Sequence, residues 1–401
     1  MVKRSGVGQD DLRRVNLSAL LRRVHVSGPT SRAALTQELG LNRSTIGDLT
    51  AQLEAFGLVR NERPSRADGT GRPSHVVVPR DDIAVLAVAM DVDRIAVAIV
   101  GLGGVVLDRL ERRHDRGGHD VLAVVESVAQ LCETLLGRFR GTCVGLGASV
   151  PGVVRAEDGL VRFAPNLGWI DEPFTEMLHA RLGQPVVTGN DANLGVLAEH
   201  LRGAAVDFDD VAYIRGGVGI GGGFLVGGVP LRGAGGYAGE VGHLLVDTNG
   251  RECRCGARGC WETKVGENQL LEAVGRLPGG GPAAVAEVIA DAVAGDQRSL
   301  AAVGEHAYWI GLGLGAIVNL FDPAVIVLDG LLASIWLSRP DDVTAALRSV
   351  SLEAPRRMMH VVSTELGGDS ALVGAAETAF APLLNNPWAV SPSPHTENVA
   401  G

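Results

Sequence analysis

Residues 236–262 read GYAGEVGHLLVDTNGRECRCGARGCWE. His243, Cys253, Cys255 and Cys260 fall within eighteen consecutive residues of this stretch. Three thiolates and one imidazole suffice for a closed tetrahedral zinc site, and Gly256 and Gly259 permit the tight turns between ligands. Four protein ligands leave no open position, so the spacing predicts one structural Zn2+ per chain rather than a catalytic ion. The competing reading is a set of unrelated buried thiols. The other two of the five cysteines, Cys132 and Cys143, stand apart in apolar surroundings. An odd count argues against a disulfide framework.

Outward from this block, buried-strand runs alternate with helical stretches. Runs at 85–90, 95–100, 144–149, 186–188, 211–214 and 325–328, with a helix over 121–139, predict an α/β architecture with a mixed sheet. The theme occurs twice, which predicts two lobes about a cleft. At 401 residues the chain exceeds one ordinary core. No apolar run approaches the roughly 20 residues of a membrane-spanning helix. The first eleven residues are polar and lack the apolar segment of a secretory signal. A cytoplasmic protein with no membrane partner is expected.

The net charge of −10 is unevenly distributed. Residues 1–80 carry 13 Lys/Arg against 7 Asp/Glu, and the remainder 23 against 39. A basic piece on an acidic body is the pattern of a nucleic-acid-binding appendage. Within it, Leu17, Leu20, Leu21 and Val24 have the period of an amphipathic helix starting near Asn16 and ending near Ser27-Gly28-Pro29. A second helix follows, capped by Thr30 or Ser31 and closed by Gly40. Asn42 caps a third, over 43–56, with Ile46, Leu49, Leu53 and Phe56 inward. The stretches 58–60 and 76–78, joined by a loop containing Gly69-Thr70-Gly71-Arg72-Pro73, predict a two-stranded wing. Helix, tight turn and a helix with a polar, basic first turn is the arrangement that enters a major groove. Arg32, Asn42, Arg43, Ser44 and Thr45 are the candidate contacts to bases or phosphates, and Arg72 is the candidate for a minor groove. A three-helix interaction module with no DNA role is the alternative.

GYAGEVGH at 236–243 and CRCGARGCWE at 253–262 together resemble the signature of the ROK family (repressor, ORF, kinase). GASVPG at 147–152, APNLGW at 164–169, GNDAN at 189–193 and GGVGIGGG at 216–223 extend the likeness over about 85–382. The resemblance implies an α/β, actin-like, sugar-kinase two-lobed ROK fold over 81–384, behind a winged helix-turn-helix at 1–80. It also implies that Asn166, Asn190, Asp191, Glu240, His243 and Glu262 line a sugar pocket. Amides and carboxylates suit vicinal hydroxyls, which they take in paired hydrogen bonds. One ring nitrogen of His243 can bind zinc while the other donates to the sugar. Asp191 falls at the general base of the family's kinases.

The phosphate loops decide between kinase and regulator, because phosphoryl transfer is mostly positioning and electrostatics. The family's Asp-x-Gly-Gly-Thr falls on Ala89-Met90-Asp91-Val92-Asp93, its second-loop threonine on Val218, and its Gly-Gly after the last strand on Asp329-Gly330. A carboxylate about 4 Å from a phosphate charge is repelled by about 4 kcal/mol at an effective dielectric near 20. No catalytic residue is therefore expected. The reading is a sugar-responsive regulator, a repressor, acting as a homodimer or dimer of dimers on a palindromic double-stranded operator. A sugar kinase with an added DNA-binding domain, and a scaffold with a vestigial sugar site, are the alternatives. Residues 385–401, rich in Pro and Ser, are expected to be disordered.

Overall fold

The structure, a computed structural model, describes residues 9–63 and 74–389. The N-terminal unit comprises α1 (Gln9–Ser27), β1 (Thr30–Ser31), α2 (Arg32–Leu39), α3 (Arg43–Ala55), β2 (Val59–Glu62) and β3 (Val76–Pro79). Ser31 caps α2 by accepting the Ala34 N–H, Gly40 ends it at φ 63°, and Asn42 caps α3 by accepting the Thr45 N–H. The three strands pair antiparallel in the order β1-β3-β2. Helix α1 starts at Gln9, earlier than its apolar period reveals, because residues 10–15, Leu12 and Val15 included, are exposed rather than packed. Asp10 and Asp11 there suit the positive end of the helix dipole.

The first lobe is built on β4 (Ile83–Met90), β5 (Arg94–Gly101), β6 (Val106–Arg113), β7 (Thr142–Val150) and β11 (Val186–Asn190). Its strand order is β11-β7-β4-β5-β6, antiparallel from β4 to β6 and parallel from β4 to β11. Between β7 and β11 come a small antiparallel sheet of β8 (Val153–Val154), β9 (Val161–Ala164) and β10 (Trp169–Glu172), and the helix α5 (Phe174–Leu182). Both faces of β4 are buried, so it reads as a continuous apolar run. Leu86 and Val88 share a core with α4 (Val121–Arg138), and Val85 and Ala87 with α14 (Ser370–Asn385).

The second lobe repeats the pattern. β12 (Val211–Gly216), β13 (Ile220–Val226), β14 (Val229–Pro230), β15 (Val325–Gly330) and β16 (His360–Ser363) take the order β14-β13-β12-β15-β16, with the same sequence of antiparallel and parallel pairings. Strand β13, IGGGFLV, carries too many glycines to show as a strand by composition, yet it pairs with β12 at every position from Ile220 to Leu225. Helices α7 (Glu262–Val265), α8 (Glu267–Ala273), α9 (Gly281–Val293), α10 (Gln297–Phe321), α11 (Leu331–Ser338), α12 (Pro340–Val350) and α13 (Glu353–Met358) complete the lobe. Helix α10 is long and apolar enough to cross a membrane. Most of it is buried in this core, with Ile310, Leu314 and Ile317 in one cluster with Ile214, Ile326 and Leu328.

The N-terminal unit does not stand apart from the first lobe. Leu17, Leu20, Leu21 and Val24 of α1 lie in one continuous core with Leu372, Ala376, Phe380 and Leu384 of α14. Ser18 Oγ donates to the Asn385 carbonyl at 3.0 Å, and Arg22 donates to the Asn385 side chain. Trp388, in a 3-10 turn at Pro387–Ala389, meets Phe56 edge-on with ring centroids 5.9 Å apart, and Arg14 lies over the indole. This corrects the expectation that the tail is disordered from residue 385. Residues 385–389 belong to the fold because an indole and a helix end seat them against α1 and the end of α3. Residues 390–401 lie outside the described residues.

Candidate functional site

The quoted block folds into a compact loop. Leu245 bridges to Cys260, Trp261 N–H donates to the Leu244 carbonyl at 2.8 Å, and Cys253 N–H to Ala257 O at 2.8 Å. Gly259, at φ 77°, is where a Cβ would collide with the Asp247 carbonyl oxygen. The folding brings together the four expected ligands, His243, Cys253, Cys255 and Cys260, with their donor atoms all within 4.8 Å of one another. Nδ1 of His243 is 3.6 Å from Cys253 Sγ, and the Cys255 and Cys260 sulfurs are 3.7 Å apart. With bonds of about 2.3 Å to sulfur and about 2.0–2.1 Å to nitrogen, a tetrahedral zinc gives S···S edges of about 3.8 Å and S···N edges of about 3.6 Å. The cluster therefore fits a tetrahedral cation and could bind one. Burial, then the neighbouring Cys255 and Cys253, push the Cys260 thiol up to about 12. A cation bound there would hold such a group as thiolate.

Asn166, Asn190, Asp191, Glu240, His243 and Glu262 all line one cleft of about 630 Å³ between the lobes, a volume typical of small-molecule sites. The glycine frame makes this possible. A Cβ on Gly223 of β13 would collide with the Ala192 carbonyl oxygen, so only glycine lets α6 (Asp191–Arg202) begin at the cleft floor. Asn190 caps α6, accepting from the N–H groups of Ala192 and Asn193, and its amide donates to Gly152 O at 3.0 Å and Asp191 Oδ1 at 3.1 Å. Burial raises the Asp191 carboxyl above its ordinary value, with Arg215 opposing and Asp91 adding to the shift. Burial likewise raises Glu240, opposed by His243. Glu262 accepts the Ile220 N–H at 3.1 Å and so ties the cysteine loop to the glycine frame. Asn166 accepts from Arg254, which sits between two of the cysteines.

The acids beside Asp191 in this cleft are not bare, which corrects the simple repulsion argument. Arg215, at the end of β12, donates to Asp91 Oδ2 at 2.7 Å, and its guanidinium lies 3.8 Å from Asp191 and 4.0 Å from Asp329. Asp329 also accepts from the buried Tyr213 hydroxyl at 2.6 Å. Arg116 pairs with Asp93 at 3.0 Å and with the nearly buried Glu267 at 2.7 Å. Both Arg215–Asp91 and Arg116–Glu267 join one lobe to the other. A side-chain cation thus stands among Asp91, Asp191 and Asp329. Sequence reasoning missed Arg215, Arg116 and Glu267, since only the fold brings them to the same cleft.

In the N-terminal unit, Asn42, Arg43 and Ser44 are exposed and Thr45 is half-buried at the start of α3. Asn42 Oδ1 accepts from both the Thr45 N–H, at 2.8 Å, and the Ser44 hydroxyl, at 2.7 Å. Arg32 opens α2, its N–H donating to His75 O of the ribbon. Arg72 lies outside the described residues.

A family model described as "ROK family" matches residues 85–381. The chain belongs to the ROK family. Its likeness to a ROK regulator runs further than its likeness to ROK kinases. The xylose repressor of Bacillus subtilis (strain 168) is 29% identical over 382 residues, 94% of each chain, and so matches the N-terminal unit as well. A glucokinase of Streptomyces coelicolor is 31% identical over 277 residues, covering 65% of this chain and 87% of its own. Among solved structures, a ROK transcriptional regulator described as a homologue of the Escherichia coli MLC protein superposes with TM-score 0.76 at 22% identity, over 93% of this chain and 97% of that one. At that identity it shows a shared fold. A ROK glucokinase from Streptomyces griseus, solved with glucose and AMPPNP, gives TM-score 0.64 at 28% identity, over 74% and 98%.

Proposed function

We propose that this chain is a sugar-responsive, DNA-binding repressor of carbohydrate-metabolism genes, whose ROK domain binds a sugar without phosphorylating it. The observation that carries the reading is the occupation of the cleft by its own ion pairs. The six candidate sugar contacts line the same cleft in which Arg215 is paired with Asp91, Asp191 and Asp329, and Asp91 and Asp329 stand where the resemblance puts phosphate-loop glycines. Xylose repressors and glucokinases among the relatives support a sugar as the ligand, and the match of the N-terminal unit to a repressor supports DNA as the partner.

In this reading α2, Gly40-Leu41-Asn42 and α3 form the helix-turn-helix of a winged helix. Arg43, Ser44 and Thr45 face the major groove, with Asn42 holding the first turn of α3, Arg32 reaching phosphates and Arg72 the minor groove. His243, Cys253, Cys255 and Cys260 hold one structural zinc ion, which fixes the His243 ring where it borders the cleft. The regulator works in the cytoplasm as a homodimer or dimer of dimers on a palindromic operator. Sugar shifts the angle between the lobes, provided that it binds the two states differently.

The test is a thermal-shift panel of D-xylose, D-glucose, N-acetyl-D-glucosamine and their phosphates, followed by operator selection from random duplexes. At least one sugar should stabilise the chain and change its operator affinity; stabilisation by none overturns the reading. The 31% identity to a glucokinase supports a second reading, a kinase with an appended DNA-binding unit. Sugar-dependent ATP turnover at ordinary kinase rates would establish that one instead.

A further inference from the structure

One helix joins the cleft to the N-terminal unit. Helix α6 starts at Asp191, beside the sugar-type residues, and ends at Arg202, roughly 16 Å away at 1.5 Å per residue. There the Arg202 guanidinium donates to the carbonyl oxygens of His25, at 3.1 Å, and Val26, at 3.3 Å, in the last turn of α1, and to Gly103 O at 3.1 Å. Its Nε donates to Glu377 Oε1 of α14 at 2.5 Å. The second oxygen of Glu377 faces His25 Nε2 at 2.9 Å, while the Gly103 N–H donates to His25 Nδ1 at 3.0 Å. Arg202 Nη2 also stands 3.1 Å from the same Nε2. His25 is fully buried and Glu377 nearly so.

The same end of α6 is fixed to the start of α14. Glu199, also fully buried, accepts from Ser370 Oγ at 2.8 Å, from the Leu366 N–H at 3.2 Å and from the Thr364 hydroxyl. Gly374 lets the two helices touch, since a Cβ there would collide with the Leu194 carbonyl oxygen. A buried network of this kind keeps its energy only when every member is satisfied. A displacement of α6 must then carry the end of α1 with it or break the network. Ser27 ends α1 a few residues before α2, so the end of α1 sets where the helix-turn-helix begins.

We propose that Arg202 is a positioning residue that transmits occupancy of the cleft at Asp191 to the DNA-facing unit. The proposal rests on the sugar reading of the cleft. The test is hydrogen exchange by mass spectrometry on the full chain, with D-xylose and D-glucose as probes, in unaltered protein, Arg202→Gln and Glu377→Gln. In unaltered protein the sugar slows exchange at 190–196 and changes it fivefold or more at 22–31. In Arg202→Gln the sugar Kd stays within about twofold and the response at 190–196 persists, but the response at 22–31 falls below twofold. A merely structural role would lower protection at 22–31 with and without sugar while keeping the ratio. Glu377→Gln, isosteric, carries the test if Arg202→Gln does not fold. The proposal is overturned if both variants retain the full response, or if a sugar protects 190–196 in unaltered protein without affecting 22–31. If no sugar of the thermal-shift panel, each run as a probe in turn, affects 190–196, the sugar reading fails and the coupling with it.

Discussion

At the scale of single residues, Arg215 distinguishes this cleft most sharply. Its side chain is one-fifth exposed and stands within ion-pair distance of three carboxylates, so removing it leaves like charges facing one another in a poorly solvated space. Arg215→Met should lower stability by about 2–4 kcal/mol, read from urea denaturation at pH 7. An unchanged midpoint would mean that solvent already screens the acids. Glu377 gives a pH-dependent counterpart. Burial pushes its carboxyl up, but the bond to His25 and the charge of Arg202 outweigh burial and hold it below the ordinary value. A depressed acid stabilises the fold above its unfolded pKa, roughly 4.3 for Glu, and loses that contribution as pH falls through the folded value. The Tm difference between unaltered protein and Glu377→Gln should be widest near pH 7 and shrink in acid. A gap that grows on acidification would reverse the assignment. The six cleft side chains were legible in the sequence because each belongs to a short motif. Arg215 was not, because its partners at 91, 191 and 329 are remote in sequence and only the paired lobes bring them together.

At the scale of elements, the cysteine loop was the most legible part of the chain, because ligand types and turn glycines are local properties. Cys255→Ser should abolish stoichiometric zinc, measured by mass spectrometry of the native chain, and lower Tm by several degrees. Full zinc retention would mean that three ligands suffice. Helix α3 was equally readable, since its cap, apolar face and terminating turn lie within fifteen residues. Arg43→Ala tests its role. A base contact would cost about 1–3 kcal/mol at one operator position, whereas a phosphate contact would weaken all sequences and flatten the salt slope by about one. No change in either would remove α3 from the interface. Strands β6 and β13 escaped detection for opposite reasons. Exposure and charge hide β6, which lies at the sheet edge, and glycine hides β13, where close approach of α6 outweighs strand propensity.

At the scale of the whole molecule, the expected boundary at 80/81 does not separate cores. The leucines of α1 alternate with polar residues in a pattern that says only that they are inward. Nothing local reveals that their partners lie on α14, at the other end of the sequence. A chain lacking residues 1–80 would strip Phe380 of its contact with His25 and Trp388 of its contact with Phe56, and its first lobe should melt well below that of the full chain in calorimetry. Equal melting would restore the picture of independent domains. The same packing sets an order of events during synthesis. Helix α1 leaves the ribosome before α14 and Trp388, which follow roughly 350 residues later, a delay of roughly 20–70 s at about 5–20 residues per second. Until then the N-terminal unit has no seat, so a chain still tethered to its message lacks the docked geometry that the proposed encounter with DNA would require.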